Sequence, residues 1–130
     1  MATAYWCILI AALLPYVWYG VARAGAGPID NRDPRSGMAR LDEGSARRAN
    51  HAQYNAFEAF APFAASVLMA QLAGIDSHRI GVLAMAFVAV RVLHGLLYVT
   101  NVHALRSVAW FAGFALVAWL MVQAALGVAM

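Results

Sequence analysis

Lysine is absent from this 130-residue chain, and all nine basic residues are arginine. Cysteine occurs once, at Cys7, which excludes an intrachain disulfide and any cysteine-built metal site. Charge of either sign is scarce: 12% of residues are charged and 64% are hydrophobic, about half the charge of an average soluble domain. A soluble domain would also spread polar residues along every element to cover its surface, whereas most of the charge here is collected between residues 23 and 48. These shortages place the chain in lipid. The formal net charge of +3 does not point to nucleic acid, because no basic run is interleaved with aromatics. The arginine excess reads instead as a topology signal or a contact with anionic headgroups.

What is present is a set of four apolar stretches, about 4–22, 49–73, 80–99 and 107–129, each near the ~20 residues that cross a ~30 Å hydrocarbon core. None alternates apolar and polar positions as a membrane strand does, so helices are the remaining way to satisfy the backbone in lipid. The first stretch has no charged region before it and no small-residue cleavage site after it. Trp6, Tyr16, Trp18 and Tyr19 near its ends suit interfacial anchors of a retained span. The expectation is an all-α, multi-pass membrane protein, a bundle of four transmembrane helices forming one domain over 1–130.

The run 24–35, AGAGPIDNRDPR, holds turn formers and charges that do not continue a helix. Ser45 or Asp42 is expected to cap the second span, Asp76 or Ser77 the third, and residues 100–106 form the last connection. Arg23, Arg32, Arg35, Arg40, Arg47 and Arg48 border or lie in the first loop and Arg106 in the third, against Arg79 alone in the second. Loops one and three are thereby expected to face the cytoplasm, with both termini outside.

Two spans carry ionisable groups, Glu58 and Arg91, which cost several kcal/mol in lipid unless they face protein, water or a partner. Both fall about 13–15 Å from the same membrane face, so they are expected to pair on adjacent antiparallel helices. Arg48, His51, Asn55, Glu58 and Pro62 follow helical spacing along one face, as do Arg91, His94, Tyr98 and Asn101. Two such stripes meeting would enclose a donor-rich cleft suited to an anionic ligand. Pro62 removes the hydrogen bond to the Glu58 carbonyl and offers a place to bend. Other readings remain open: a Glu–Arg pair that only holds helices together, a proton-coupled exporter using Glu58, and, weakly supported by His51, His94 and His103, a haem site. Trp110, Phe111, Phe114 and Trp119 read as lipid or interface contacts rather than a cofactor box, and Gln123 as a polar link between helices.

The segment from Arg48 through Asn55 and Glu58 to Pro62 resembles the Arg…Asn-x-x-Glu…Pro signature of the membrane-associated proteins in eicosanoid and glutathione metabolism, the MAPEG family. Arg91-Val92-Leu93-His94-Gly95-Leu96-Leu97-Tyr98 is similar to that family's Arg-x-x-(His/Tyr)-x-x-x-Tyr segment, and Arg106-Ser107-Val108-Ala109-Trp110 resembles the start of its fourth helix. The resemblance implies a homotrimer in the membrane, probing lipophilic substrates with transferase or peroxidase chemistry and using glutathione bound between subunits. It implies that Arg48, His51, Asn55, Glu58, Arg91, His94 and Tyr98 contact glutathione and that Arg106 steadies its thiolate. This sequence departs from the pattern at His51, where well-studied members carry an arginine, and at Trp110, where some carry a tyrosine. It looks more like the bacterial branch, which implies an inner-membrane location.

Overall fold

The computed structural model describes residues 1–129, and among these the regular structure is entirely helical. Four helices are long: α1 (Ala2–Gly25), α3 (Ser45–Leu72), α4 (Ser77–Val99) and α5 (His103–Val128). The short α2 (Pro34–Ala39) interrupts the first loop. Helices α1, α4 and α5 are long and apolar enough to cross a membrane, which makes this an integral membrane protein. Helix α3, at 28 residues, is long enough, but the polar stripe expected of the second span lowers its hydropathy.

The helices α3 and α4 occupy the middle, each packing against both α1 and α5. Their contact is built on Phe63 and Phe87, whose rings stack at 3.9 Å and 10° and are buried. Around them sit small residues: Ala4, Cys7 and Ala11 of α1, Ala70 of α3, Ala84 of α4 and Ala124 of α5. Lipid tails are as apolar as these side chains, so close approach and dispersion, rather than escape from water, hold such helices together. A second cluster joins Leu14 and Trp18 to Ala52 and Ala56. Trp18 is therefore core and not the interfacial anchor expected, whereas Trp6 and Tyr16 are exposed as anchors should be. The reason is Gly95: a Cβ there would overlap the Trp18 indole, so the glycine is the slot that admits it.

The loop 26–44 differs from expectation, because α2 folds within it. Pro34 takes the first helical position and Asp33 caps it, accepting from the Ser36 amide at 3.3 Å. The Ser36 side chain first, and then its amide, hold the Asp33 carboxyl below its ordinary value of 3.8. Met38 then packs with Ala22 and Ala49, fastening α2 to the ends of α1 and α3. Neither Ser45 nor Asp42 caps α3; Gly44 stands at the cap position, with φ of 157°, and offers no side chain. Asp76 does cap α4, accepting from the Arg79 amide at 2.8 Å.

Two sharp reversals set the length of the remaining helices. Gly74, with φ of 74°, ends α3: its amide bonds to the Gln71 carbonyl and the Ile75 amide to the Ala70 carbonyl. Asn101, with φ of 63°, ends α4 the same way, through Asn101 to Tyr98 and Val102 to Leu97. Asparagine tolerates this left-handed backbone better than most residues. The turn is so tight that α5 starts at His103, placing Arg106 in the first turn of a helix rather than in the 100–106 connection expected.

Candidate functional site

Three helical stripes converge beside this turn. Helix α3 supplies Arg48, His51, Asn55, Glu58 and Pro62, and α4 supplies Phe87, Arg91, His94 and Tyr98. Helix α5 adds Arg106, Trp110, Gly113, Phe114, Val117 and Met121, again at helical spacing. Between the stripes lie three adjoining cavities.

The outermost, of about 320 Å³, is lined by Glu43, Arg47, Arg48, His51, Tyr98, Asn101 and Arg106. The middle one, of about 200 Å³, shares Tyr98 and Arg106 with it and adds Asn55, His94, Ser107, Trp110 and Phe111. The innermost, of about 350 Å³, shares Asn55 and Trp110 and is otherwise apolar apart from Glu58 and Arg91. The groove thus grades from charged at the arginine-rich end to apolar along its length, and every predicted site residue lines it.

Tyr98 is the hub of the polar half. The Arg106 guanidinium lies over its ring at 4.3 Å, a cation–π contact. The imidazoles of His51 and His94 meet the ring edge-on, with centroids at 6.3 and 5.7 Å. His94 is buried and His51 exposed. Arg48 reaches from α3 to donate its Nε to the Val99 carbonyl at 3.0 Å. It thereby satisfies one of the carbonyls left open at the end of α4, where the helix dipole also favours a cation.

The expected Glu58–Arg91 ion pair is not formed. Among the described residues the one ion pair within 4.0 Å is Arg32 with Asp30, both in the solvated loop. Arg91, buried with 5% of its surface exposed, donates its Nη2 to Asn55 instead, at 2.7 Å to Oδ1 and 3.1 Å to the backbone oxygen. The guanidinium reaches a nearer acceptor on α3 one turn before Glu58. Glu58 is exposed and faces Arg91 only across the inner cavity they both line. At the other end of the bundle Gln123 does link helices, accepting from Arg79 Nη1 at 3.4 Å, while its own Nε2 has no partner among the described residues.

Trp110, Phe111, Phe114 and Trp119 are all exposed, as expected of lipid or interface contacts, and the first three also wall the groove. Trp110 and Phe114 stack at 5.6 Å and 3° and line the inner cavity with Arg91, while Phe111 lines the middle one. Trp119 lines none of the three cavities. The one sequence clue to this wall is that Trp110 follows Arg106 by four residues, because the rest of α5 is apolar on every side. Chemically, the arrangement offers planar cations to an anion at one end and an aromatic, apolar trough to a lipophilic group at the other.

Among known protein families, the model of the MAPEG family matches residues 3–126. No curated protein and no solved structure matches the chain.

Proposed function

Because the chain belongs to the MAPEG family, we propose that it is a membrane-embedded glutathione-dependent transferase or peroxidase acting on lipophilic electrophiles or hydroperoxides. The observation that carries this reading is the single groove, cationic at one end and aromatic and apolar along the rest, in which a polar thiol and a lipophilic partner could meet. We read 1–130 as one domain. In this reading α3 is the fourth span, its polar stripe turned to the groove, and the working unit is a homotrimer. Both termini lie outside the cytoplasm of a bacterial inner membrane, as the arginine distribution favours.

The donor set suits glutathione. A tripeptide with two carboxylates and an ammonium asks for several cations and an anion in one place, and Arg48, Arg91, Arg106 and Glu58 supply them around one groove. Asn55, Tyr98, His51 and His94 offer hydrogen bonds between these charges. When bound, the tripeptide brings a thiol, whose thiolate is the nucleophile. Arg106 is the residue we assign to that sulfur. A guanidinium cation favours the charged form of a neighbouring thiol, and that of Arg106 lies over the Tyr98 ring without an ion pair among the described residues. The Trp110–Phe114 face would receive the lipophilic partner and exclude water from it.

Titration of the detergent-solubilised protein with glutathione, following thiolate absorbance and conjugation to a generic electrophile, tests this. The expected result is thiolate formation that Arg106→Ala removes. Absence of binding at millimolar glutathione would end the reading. A second reading, a non-catalytic scaffold or lipid-binding protein, draws on the fact that Arg48 and Arg91 are tied into helix–helix contacts. Under it, Arg106→Ala changes nothing while substitutions at Asn55 and Glu58 weaken assembly.

A further inference from the structure

The outer cavity contains one arginine that the stripes do not explain. Arg47 immediately precedes Arg48 on α3, so it points about 100° away from the stripe of that helix. It nevertheless lines the cavity, is exposed, and makes no ion pair among the described residues. The cavity's other cations are engaged: Arg48 holds the Val99 carbonyl and Arg106 lies on Tyr98. Glu43 is the one carboxylate on its wall against these three arginines. The cavity therefore presents an excess of positive charge with one guanidinium uncommitted.

Its position matters as much as its charge. The walls are the start of α3, the end of α4 and the start of α5, and α4 and α5 are both membrane-crossing helices that reverse at residues 100–102. The cavity thus sits where the chain leaves the hydrocarbon, at the level of lipid headgroups. Beneath it the middle and inner cavities continue into the apolar region along Trp110, Phe114, Val117 and Met121. A charged pocket at headgroup depth, opening into an apolar trough, has the order of parts of a phospholipid. Phosphate oxygens also match the planar fork of arginine.

We infer that the outer cavity binds the phosphate of an anionic phospholipid from the surrounding leaflet, that one acyl chain lies along the Trp110–Phe114 trough, and that Arg47 selects for the anionic headgroup. Lipid binding stands by itself. One consequence rests on the proposed function: an anionic lipid and glutathione would compete for the cavity that holds Arg48 and Arg106.

The test places the protein in nanodiscs of phosphatidylcholine, with or without phosphatidylglycerol, and measures by native mass spectrometry which lipid is retained. The wild type should retain phosphatidylglycerol preferentially. Arg47→Ala should reduce that preference about fivefold, the effect of one arginine near a membrane surface, while Arg32→Ala, on the exposed loop, should leave it unchanged. Inorganic phosphate and glycerol phosphate at millimolar concentration should not displace the lipid; displacement by either would make this a free-anion site and overturn the inference. Equal retention of both lipids by the wild type would overturn it too, as would equal losses in the two variants, which would mean diffuse attraction to the surface. Glutathione affinity measured in the same discs should fall with phosphatidylglycerol for the wild type and not for Arg47→Ala. No glutathione binding in any disc would overturn the proposed function while a lipid preference dependent on Arg47 still supported the lipid site.

Discussion

Replacing Asn55 by alanine tests which group holds the buried guanidinium of Arg91. The Asn55 side chain accepts a charge-assisted hydrogen bond at 2.7 Å, and its loss leaves only the backbone oxygen at 3.1 Å. Hydrogen bonds to charged groups contribute about 1.5–3 kcal/mol. Alanine is the better helix former by about 0.6 kcal/mol, which offsets part of the loss. The net destabilisation should be about 1–2.5 kcal/mol, a factor of roughly 5–70 in the folding equilibrium. Glu58→Gln should cost less than about 1 kcal/mol, because the carboxylate is exposed and has no cation within 4.0 Å. Asn55→Asp should fold well, since it places a carboxylate where the guanidinium already points.

The assay is equilibrium unfolding in detergent, followed by tryptophan fluorescence and far-ultraviolet circular dichroism. Protein concentration is held fixed so that any association contributes equally to each variant. The order expected is wild type, Glu58→Gln and then Asn55→Ala, from most to least stable. If Glu58→Gln destabilises as much as Asn55→Ala, the guanidinium is held by Glu58 after all and the reasoning fails.

Gly95→Ala should destabilise by about 1–3 kcal/mol, because the new methyl overlaps the Trp18 indole. Trp18→Phe should recover part of that loss in a double-mutant cycle, and additive effects would refute the contact. Asn101→Gly should be near neutral, whereas Asn101→Val should cost about 1–2 kcal/mol for its left-handed backbone, read by thermal unfolding. Asp33 has a depressed carboxyl pKa, so its contribution to α2 is present above the ordinary value of 3.8 and is lost as pH falls through the lower folded value. Hydrogen exchange should therefore find the Ser36 amide still protected at pH 5 and released only below that value; loss of protection between pH 7 and 5 would contradict the cap.

The parts of this fold that were legible in the sequence are those where contrast exists. Arginine, histidine, asparagine and glutamate at helical spacing stand out in apolar spans, so the stripes of α3 and α4 could be read directly, and the structure places both on one groove. The stripe of α5 could not be read in the same way. Trp110, Phe114, Val117 and Met121 lie on a helix that is apolar all round, and periodicity gives no contrast there. Two errors of detail share another cause. Whether Arg91 reaches Asn55 or Glu58 depends on one turn of helical register, and whether Trp18 is core or anchor depends on a glycine 77 residues later, which sequence distance conceals. Helix α2 was legible but overlooked: Asp33 followed by Pro34 is an N-terminal signature inside a loop that its glycines and charges had made look irregular.

The polar residues of the groove divide into two kinds. Arg48 and Arg91 are bound into the packing, one on the end of α4 and one on Asn55. Their presence has a sufficient explanation in stability. Glu58 and Arg106 do not have one, because neither forms an ion pair among the described residues and Arg106 lies over an aromatic ring. Unpaired charges beside membrane-crossing helices are costly, so a chain that keeps them must cover or use them. Loss of function and loss of stability should therefore separate by residue. Asn55→Ala should weaken folding together with glutathione binding, whereas Arg106→Ala should abolish thiolate formation in a protein that unfolds like the wild type. If Arg106→Ala also unfolds the protein, the distinction between structural and chemical cations in this groove is wrong, and the scaffold reading gains what the catalytic one loses.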